Sequence, residues 1–281
     1  MSETQLLSFD CEEYFSASSP PDQWDWMPPR IGWAVGHVLD LLDEYSAKAT
    51  FFVVGWVAEK HPLVIREIVA RGHDVGCHSY WHQLLFSMTP SQFRDDTRRA
   101  RTAIEQVIGR AVNGYRAPFF SITPKTAWAI DVLSDEGFLY DSSIFPVYHD
   151  VYGWPGAERH EHILQTRSSP LWELPPATFR VFRKLVLPVG GGGYLRMLPF
   201  AYTKFGLCRA SEEGRFLLYC HPWEFDVEQP RSPSRIASRL RHNTGLRTME
   251  RKFRALLLAY RFTNIETAVR EGQLAATAGE V

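Results

Sequence analysis

The 281 residues are 45% hydrophobic and 14% aromatic, enough apolar material to bury a large α/β core and too much for a disordered chain. Its 31 basic and 32 acidic side chains nearly cancel, which removes the electrostatic case for nucleic acid or an anionic membrane as the main partner and favours a small or uncharged substrate. Cys11, Cys77, Cys208 and Cys220 form neither a CxxC nor a dense framework, MSETQLLSFD lacks the basic and apolar segments of a signal peptide, and no apolar run has membrane-helix length. Reduced thiols and a cytoplasmic location are the expectation.

QLLSFDCE reads as a strand, and Ile31, Val35, Val38, Leu39 and Leu42 then share one face of a helix ending near Tyr45. The pattern repeats with strand ATFFVVG (49–55) and helix HPLVIREIVARGH, which has a proline in its first turn and Gly72 as a stop. DVGCHS is the third strand. Thr89 and Pro90 open a long helix that turns Phe93, Thr97, Ala100, Ile104 and Val107 inward and closes at Gly109. GYRAPFFS reads as a fourth strand, a helix runs from Thr123 and Pro124 to about Gly137, and YDSSIFP follows as a fifth strand. Between 150 and 210 the periodicity weakens to a short strand WELP and an irregular excursion containing GGGGYLRMLPF. RFLLYCHPWEF is the last clear strand, followed by helices over about 235–260 and 265–272 and a fraying tail over 273–281. Alternating strands and helices predict a parallel sheet, open or closed into a barrel.

The polar residues Asp10, Glu12, His78, Arg116, Asp141 and His221 fall at the C-terminal ends of apolar runs, the edge where parallel α/β folds build their sites. In HSYWH, imidazoles four apart would share a face of a helical turn, and two His with one carboxylate leave positions open for water and substrate, as in a catalytic metal centre. Arg116, among apolar neighbours, calls for a carboxylate partner. Cys77 and Cys220 each precede a candidate histidine and in an extended chain point away from it, which argues against thiolate ligands. The run Gly190–Gly193 lacks the Lys and Ser or Thr of a phosphate loop and reads as a tight or mobile turn. Exposed members of the aromatic set Tyr14, Phe15, Trp24, Trp26, Trp81, Phe119, Phe120, Tyr194 and Trp223 would suit stacking on sugar rings.

In this order and at this separation, SFDCEE, HSYWH, YRAPF and LYCHPWE resemble the NodB-homology polysaccharide deacetylases, carbohydrate esterase family 4, over nearly the full chain. GGGYLRMLPF and HPWEF resemble the subgroup associated with bacterial exopolysaccharide loci. The resemblance implies a distorted (β/α) barrel with fewer than eight strands, one domain over 1–272, and metal-dependent hydrolysis of N-acetyl groups on an amino-sugar saccharide or its precursor. It implies Asp10 as general base, Arg116 as its orienting partner, His221 as general acid, the Phe119 backbone N–H as oxyanion donor, and His78 and His82 as metal ligands. Zinc is the implied ion, with Fe, Co or Ni also suited to two His and a carboxylate. The first motif departs from the family's adjacent aspartates: Cys11 follows Asp10, and strand alternation selects Glu12 as the third ligand, with Glu13 the alternative if the strand end curls. Tyr14, Asp141, Tyr194 and Trp223 are the candidate saccharide contacts. Two other functions fit the same residues: hydrolysis of small cyclic amides or ureides, and silent carbohydrate binding.

Overall fold

The computed structural model describes residues 3–149, 152–182, 185–230 and 242–278, the stretch 273–278 through its backbone alone. The elements in chain order are β1 (Gln5–Cys11), α1 (Ile31–Glu44), β2 (Thr50–Val53), α2 (Gly55–Lys60), α3 (Pro62–Ala70), β3 (Asp74–Cys77), α4 (Pro90–Ile108), β4 (Gly114–Tyr115), α5 (Trp128–Asp135) and β5 (Tyr140–Asp141). After them come β6 (His162–Leu164), β7 (Leu171–Glu173), β8 (Thr178–Phe182), β9 (Leu185–Pro188), α6 (Gly192–Met197), α7 (Phe200–Glu213), β10 (Leu217–Cys220), α8 (Leu246–Ala259), β11 (Phe262–Thr263) and α9 (Ile265–Ala278). Among the described residues, no helix is long and apolar enough to cross a membrane.

The main sheet runs β10-β1-β2-β3-β4-β5-β7-β6, with β11 also on β1. Neighbours from β10 to β7 pair in parallel, and β6 closes the edge antiparallel to β7. Two isolated parallel bridges, Pro176 to Leu217 and Gly191 to Tyr219, carry the chain after β7 across to β10. The result is a curled, distorted barrel whose last gap is spanned by bridges rather than a full strand. Among the described residues the sheet has nine strands, all parallel to a neighbour except β6, which is more than the expected count below eight, because β11 and β6 add short edge pairings to the barrel strands.

β1 shows how the sequence positions the site. All seven of its residues are buried, the mark of a strand covered on both faces. Leu7, Phe9 and Cys11 point into the helix layer, where Phe9 packs on Phe51 and Phe253. Ser8 and Asp10 take the other face and meet Arg116 inside the barrel.

Several elements depart from the sequence expectation. The strand GYRAPFFS pairs only through Gly114 and Tyr115, because Pro118 lacks an N–H and Phe119 and Phe120 adopt positive φ in a 3-10 turn. The helix expected from Thr123 becomes regular only at Trp128; before it, Thr126 Oγ1 accepts from the Thr123 N–H and donates to the Ser121 carbonyl. The stretch 150–210 contains three strands, a hairpin partner and two helices. α7 escapes a periodicity argument because it buries Thr203, Gly206, Leu207 and Ala210, of which only Leu207 is a large apolar residue, and Gly206 lets it lie close to Phe179. Of the helix expected over 235–260, α8 supplies Leu246–Ala259, while 231–241 lies outside the described residues. The tail expected to fray is helical to Ala278, as α9 seats Ile265, Ala268 and Val269 against Leu6, Phe52 and Tyr140; 279–281 lies outside the described residues.

Candidate active site

At the C-terminal mouth of the barrel, Glu12, His78 and His82, all buried, bring one donor atom each to within 4.8 Å of one another. Glu12 leaves β1 immediately after Cys11, and His78 follows β3. The histidines do not share a helical turn as their spacing suggested. Ser79 and His82 both have positive φ, at 58° and 52°, and this left-handed kinking of the loop brings the two rings to 5.0 Å between centroids. The His82 N–H donates to Ser79 Oγ at 2.9 Å, and the Tyr80 N–H to Asp96 Oδ2 of α4 at 2.8 Å, so a buried carboxylate outside the site pins the loop.

The donor set fits a divalent cation. Glu12 Oε2 lies 2.7 Å from His82 Nε2 and is buried without a hydrogen-bond partner among the described residues. Two lone-pair donors converging in this way call for a cation between them. His78 Nδ1 lies 2.7 Å from the Arg116 carbonyl, which fixes its proton there and leaves Nε2 free to ligate. Burial drives His78 down to about 4, so it is neutral, as a ligand must be. Burial raises the Glu12 carboxyl, but His82, His221 and His78 outweigh it and bring the group to about 2. Glu12 Oε1 accepts from the Trp223 indole N–H at 3.1 Å.

Glu13 is turned the other way. Its carboxylate accepts from the backbone N–H groups of Arg30 and Ile31 at 3.0 and 3.1 Å, capping the first turn of α1.

Asp10 borders this trio, its Oδ1 2.7 Å from Arg116 Nη1 and its Oδ2 4.0 Å from His78 Nε2. Arg116 is fully buried, a costly placement for a cation, and every arm is used. Its Nε donates to the Ser142 carbonyl, Nη2 to Ser142 Oγ, and Nη1 to Ser8 Oγ and Asp10. Ser142 and Ser8 were not singled out from sequence, although Ser8 lies two residues before Asp10 on the same strand face.

On the far wall, His221 Nε2 lies 3.8 Å from Asp10 Oδ2 and 3.7 Å from Glu12 Oε1, while its Nδ1 is 3.4 Å from Glu224 Oε2. Burial pulls the imidazole down, but Glu224, with Glu12 and Asp10, pushes it up to about 9. Glu224 is itself held by Arg196 Nε at 2.8 Å. A Cβ on Gly192 would stand 1.8 Å from Glu224 Oε2, and one on Gly191 2.7 Å from the Tyr219 hydroxyl. The glycine run is therefore a close-packing surface beneath the acidic support of His221, neither a phosphate loop nor a mobile turn. Its cue was HPWE, whose glutamate lies three residues after the histidine.

The Phe119 ring packs on His82 at 4.8 Å, and its backbone turns at φ 55° at the edge of the site. Of the expected saccharide contacts, Tyr14 is 1% exposed with its ring in the core against Phe15, Asp141 is fully buried with Ser143 Oγ donating to it, and Trp223 is buried and stacked on His242. These three offer no face to a sugar; the aromatic and acidic signals that marked them belong to core and ligand support. Tyr194 is half-buried, its hydroxyl 2.6 Å from that of Tyr152.

Residues 25–136, which carry His78, His82, Arg116 and Phe119, match the model of the polysaccharide deacetylase family. The chain carries a polysaccharide deacetylase domain. Residues 142–270, with Arg196, His221 and Glu224, match a domain of unknown function (DUF3473), so one continuous sheet joins both matched regions around one site. A peptidoglycan deacetylase-like protein of Gibberella zeae is 34% identical over 41% of this chain and 33% of its own length. A chitooligosaccharide deacetylase of Bradyrhizobium sp. is 35% identical over 34% of this chain and 42% of its own. The chain thus spans less than half the length of both relatives. A solved structure from Mycobacterium smegmatis in the polysaccharide deacetylase class has a TM-score of 0.67 at 21% identity, covering 98% of this chain and 92% of that one, which shows the shared fold.

Proposed function

We propose that the protein hydrolyses the N-acetyl group of an amino-sugar saccharide or its precursor. The observation that carries this reading is the convergence of Glu12, His78 and His82 donor atoms within 4.8 Å, flanked by Asp10 with Arg116 on one side and His221 with Glu224 on the other. An amide is a weak electrophile with a poor leaving group, so its hydrolysis needs an activated water, a stabilised oxyanion and a protonated nitrogen. A divalent ion, zinc by the family resemblance, would supply Lewis acidity to the acetyl carbonyl and acidity to water when held by these three residues. Asp10 takes the proton of the attacking water, and Arg116, locked by Ser8 and Ser142, aims its free oxygen. The Phe119 backbone N–H donates to the oxyanion. His221, charged through Glu224, gives its proton to the departing nitrogen and leaves a free amine.

Acetate release from a panel of N-acetylated oligosaccharides, with chelator and metal add-back, tests this. Asp10→Asn and His221→Ala are each expected to lower kcat about 10²- to 10⁴-fold without unfolding the protein. Release from cyclic amides but from no sugar, or near-wild-type release by either variant, would overturn the reading.

A further inference from the structure

A cleft lies beside the Pro118–Phe120 turn, whose Phe120 packs on the cleft-lining Tyr152. The turn is shared: Phe119 faces His82 at 4.8 Å, and Phe120 faces Tyr152 at 6.3 Å. The Leu85 N–H donates to Ser121 Oγ at 3.3 Å, which ties the loop bearing Phe86 to the same turn. Phe86, Thr123, Lys125, His149, Tyr152 and Gly153 line about 440 Å³ of space, within the range of small-molecule sites. None of these lining residues is among those assigned to chemistry above, and the Phe119–Phe120 turn connects the cleft wall to His82.

Its lining has two parts of distinct chemistry. One is aromatic: Phe145, Tyr152 and His149 form a parallel stack, with centroids 5.7 Å and then 3.8 Å apart, and His149 ends it at the cleft. Phe86, 47% exposed, is the other ring. The stack is held from behind by the Tyr152–Tyr194 hydroxyl contact, so these rings are presented by a supported wall. The second part is Lys125, exposed, which makes no ion pair or hydrogen bond with any residue among those described. Flat ring faces suit the apolar C–H face of a pyranose, and a free ammonium beside them selects for a carboxylate.

We propose that this cleft receives the sugar unit next to the acetylated one and that the unit is an acidic sugar, its ring against His149 and Phe86 and its carboxylate on Lys125. The inference rests on the deacetylase reading for the identity of the neighbouring unit. The substrate is then a chain in which N-acetylated amino sugars adjoin uronate residues, and Lys125 is a specificity-determining residue.

The test compares N-acetylglucosamine oligosaccharides flanked by glucuronate or by glucose. Binding is measured by calorimetry on the zinc-loaded full chain in the Asp10→Asn background, so that turnover does not intervene. The glucuronate chain is expected to bind about tenfold more tightly than the glucose chain, the worth of one charge-assisted contact. Adding Lys125→Gln should erase that ratio, and Lys125→Arg should keep most of it. Equal affinity for the two chains, or a ratio unchanged in Lys125→Gln, overturns the inference. Failure of acetate release by the wild-type protein with the binding ratio intact would overturn the deacetylase reading and leave the acidic-sugar cleft standing.

Discussion

Two adjacent glutamates in one short run, Glu12 and Glu13, end in opposite roles because the chain curls off β1 between them. Glu12 faces the histidines, and Glu13 accepts the first N–H groups of α1. Their variants should therefore separate. Glu12→Gln is expected to lose bound metal, read by elemental analysis after dialysis, and to remain folded. Glu13→Ala is expected to keep metal and to lower unfolding free energy by about 1–2 kcal/mol in urea, the cost of uncapping a helix. Were Glu13→Ala to lose metal at full stability, the two assignments would have to be exchanged. Strand alternation selected Glu12 from sequence, but the cap could not be read there, since Arg30 and Ile31 lie seventeen and eighteen residues on.

The loop from His78 to His82 holds Ser79 and His82 in a conformation that non-glycine residues avoid, so the energy to keep it must come from neighbouring elements. α4 supplies it. A capping box at Thr89 and Gln92 fixes the start of that helix, and one turn later Asp96 reaches the Tyr80 N–H. Asp96→Ala leaves that buried N–H unpaired, with an expected loss of about 1–3 kcal/mol in urea unfolding. Zinc affinity, measured by competition with a chromogenic chelator, should fall about 10- to 100-fold because the ligands lose their outer support. An unchanged zinc affinity would mean that the loop holds its shape without α4. Helix α4 was legible in full from its cap, its apolar face and Gly109. The histidine loop was legible only as a spacing, and its left-handed turns were hidden because neither Ser nor His announces positive φ.

Across the whole barrel, closure brings acids together that the sequence keeps apart. Asp141 of β5 and Glu173 of β7 are register partners, both fully buried, beneath Arg116. Burial pushes Asp141 up to about 6 and holds Glu173 well above the ordinary carboxylate range, against values near 4 for carboxyls in an unfolded chain. The folded state thus binds more protons, and stability falls as pH rises from about 4 through 6 and beyond. Glu173→Gln, which keeps the acceptor for the Ile144 N–H, should flatten that decline between pH 5 and 8 in urea unfolding at fixed metal concentration. A slope equal to that of the wild type would show that the pair holds no extra proton. The sequence by itself determined the alternating elements, the strand-end placement of Asp10, His78, Arg116 and His221, and the family, because these are written in local periodicity and short motifs. Only the tertiary structure decided that Glu224 and Arg196 support His221, that Ser8 and Ser142 lock Arg116, that Tyr14, Asp141 and Trp223 are buried, and that the glycine run is packing. Each of those depends on which strands become neighbours when the sheet curls, and a side chain's partner across a barrel leaves no periodic trace along the chain.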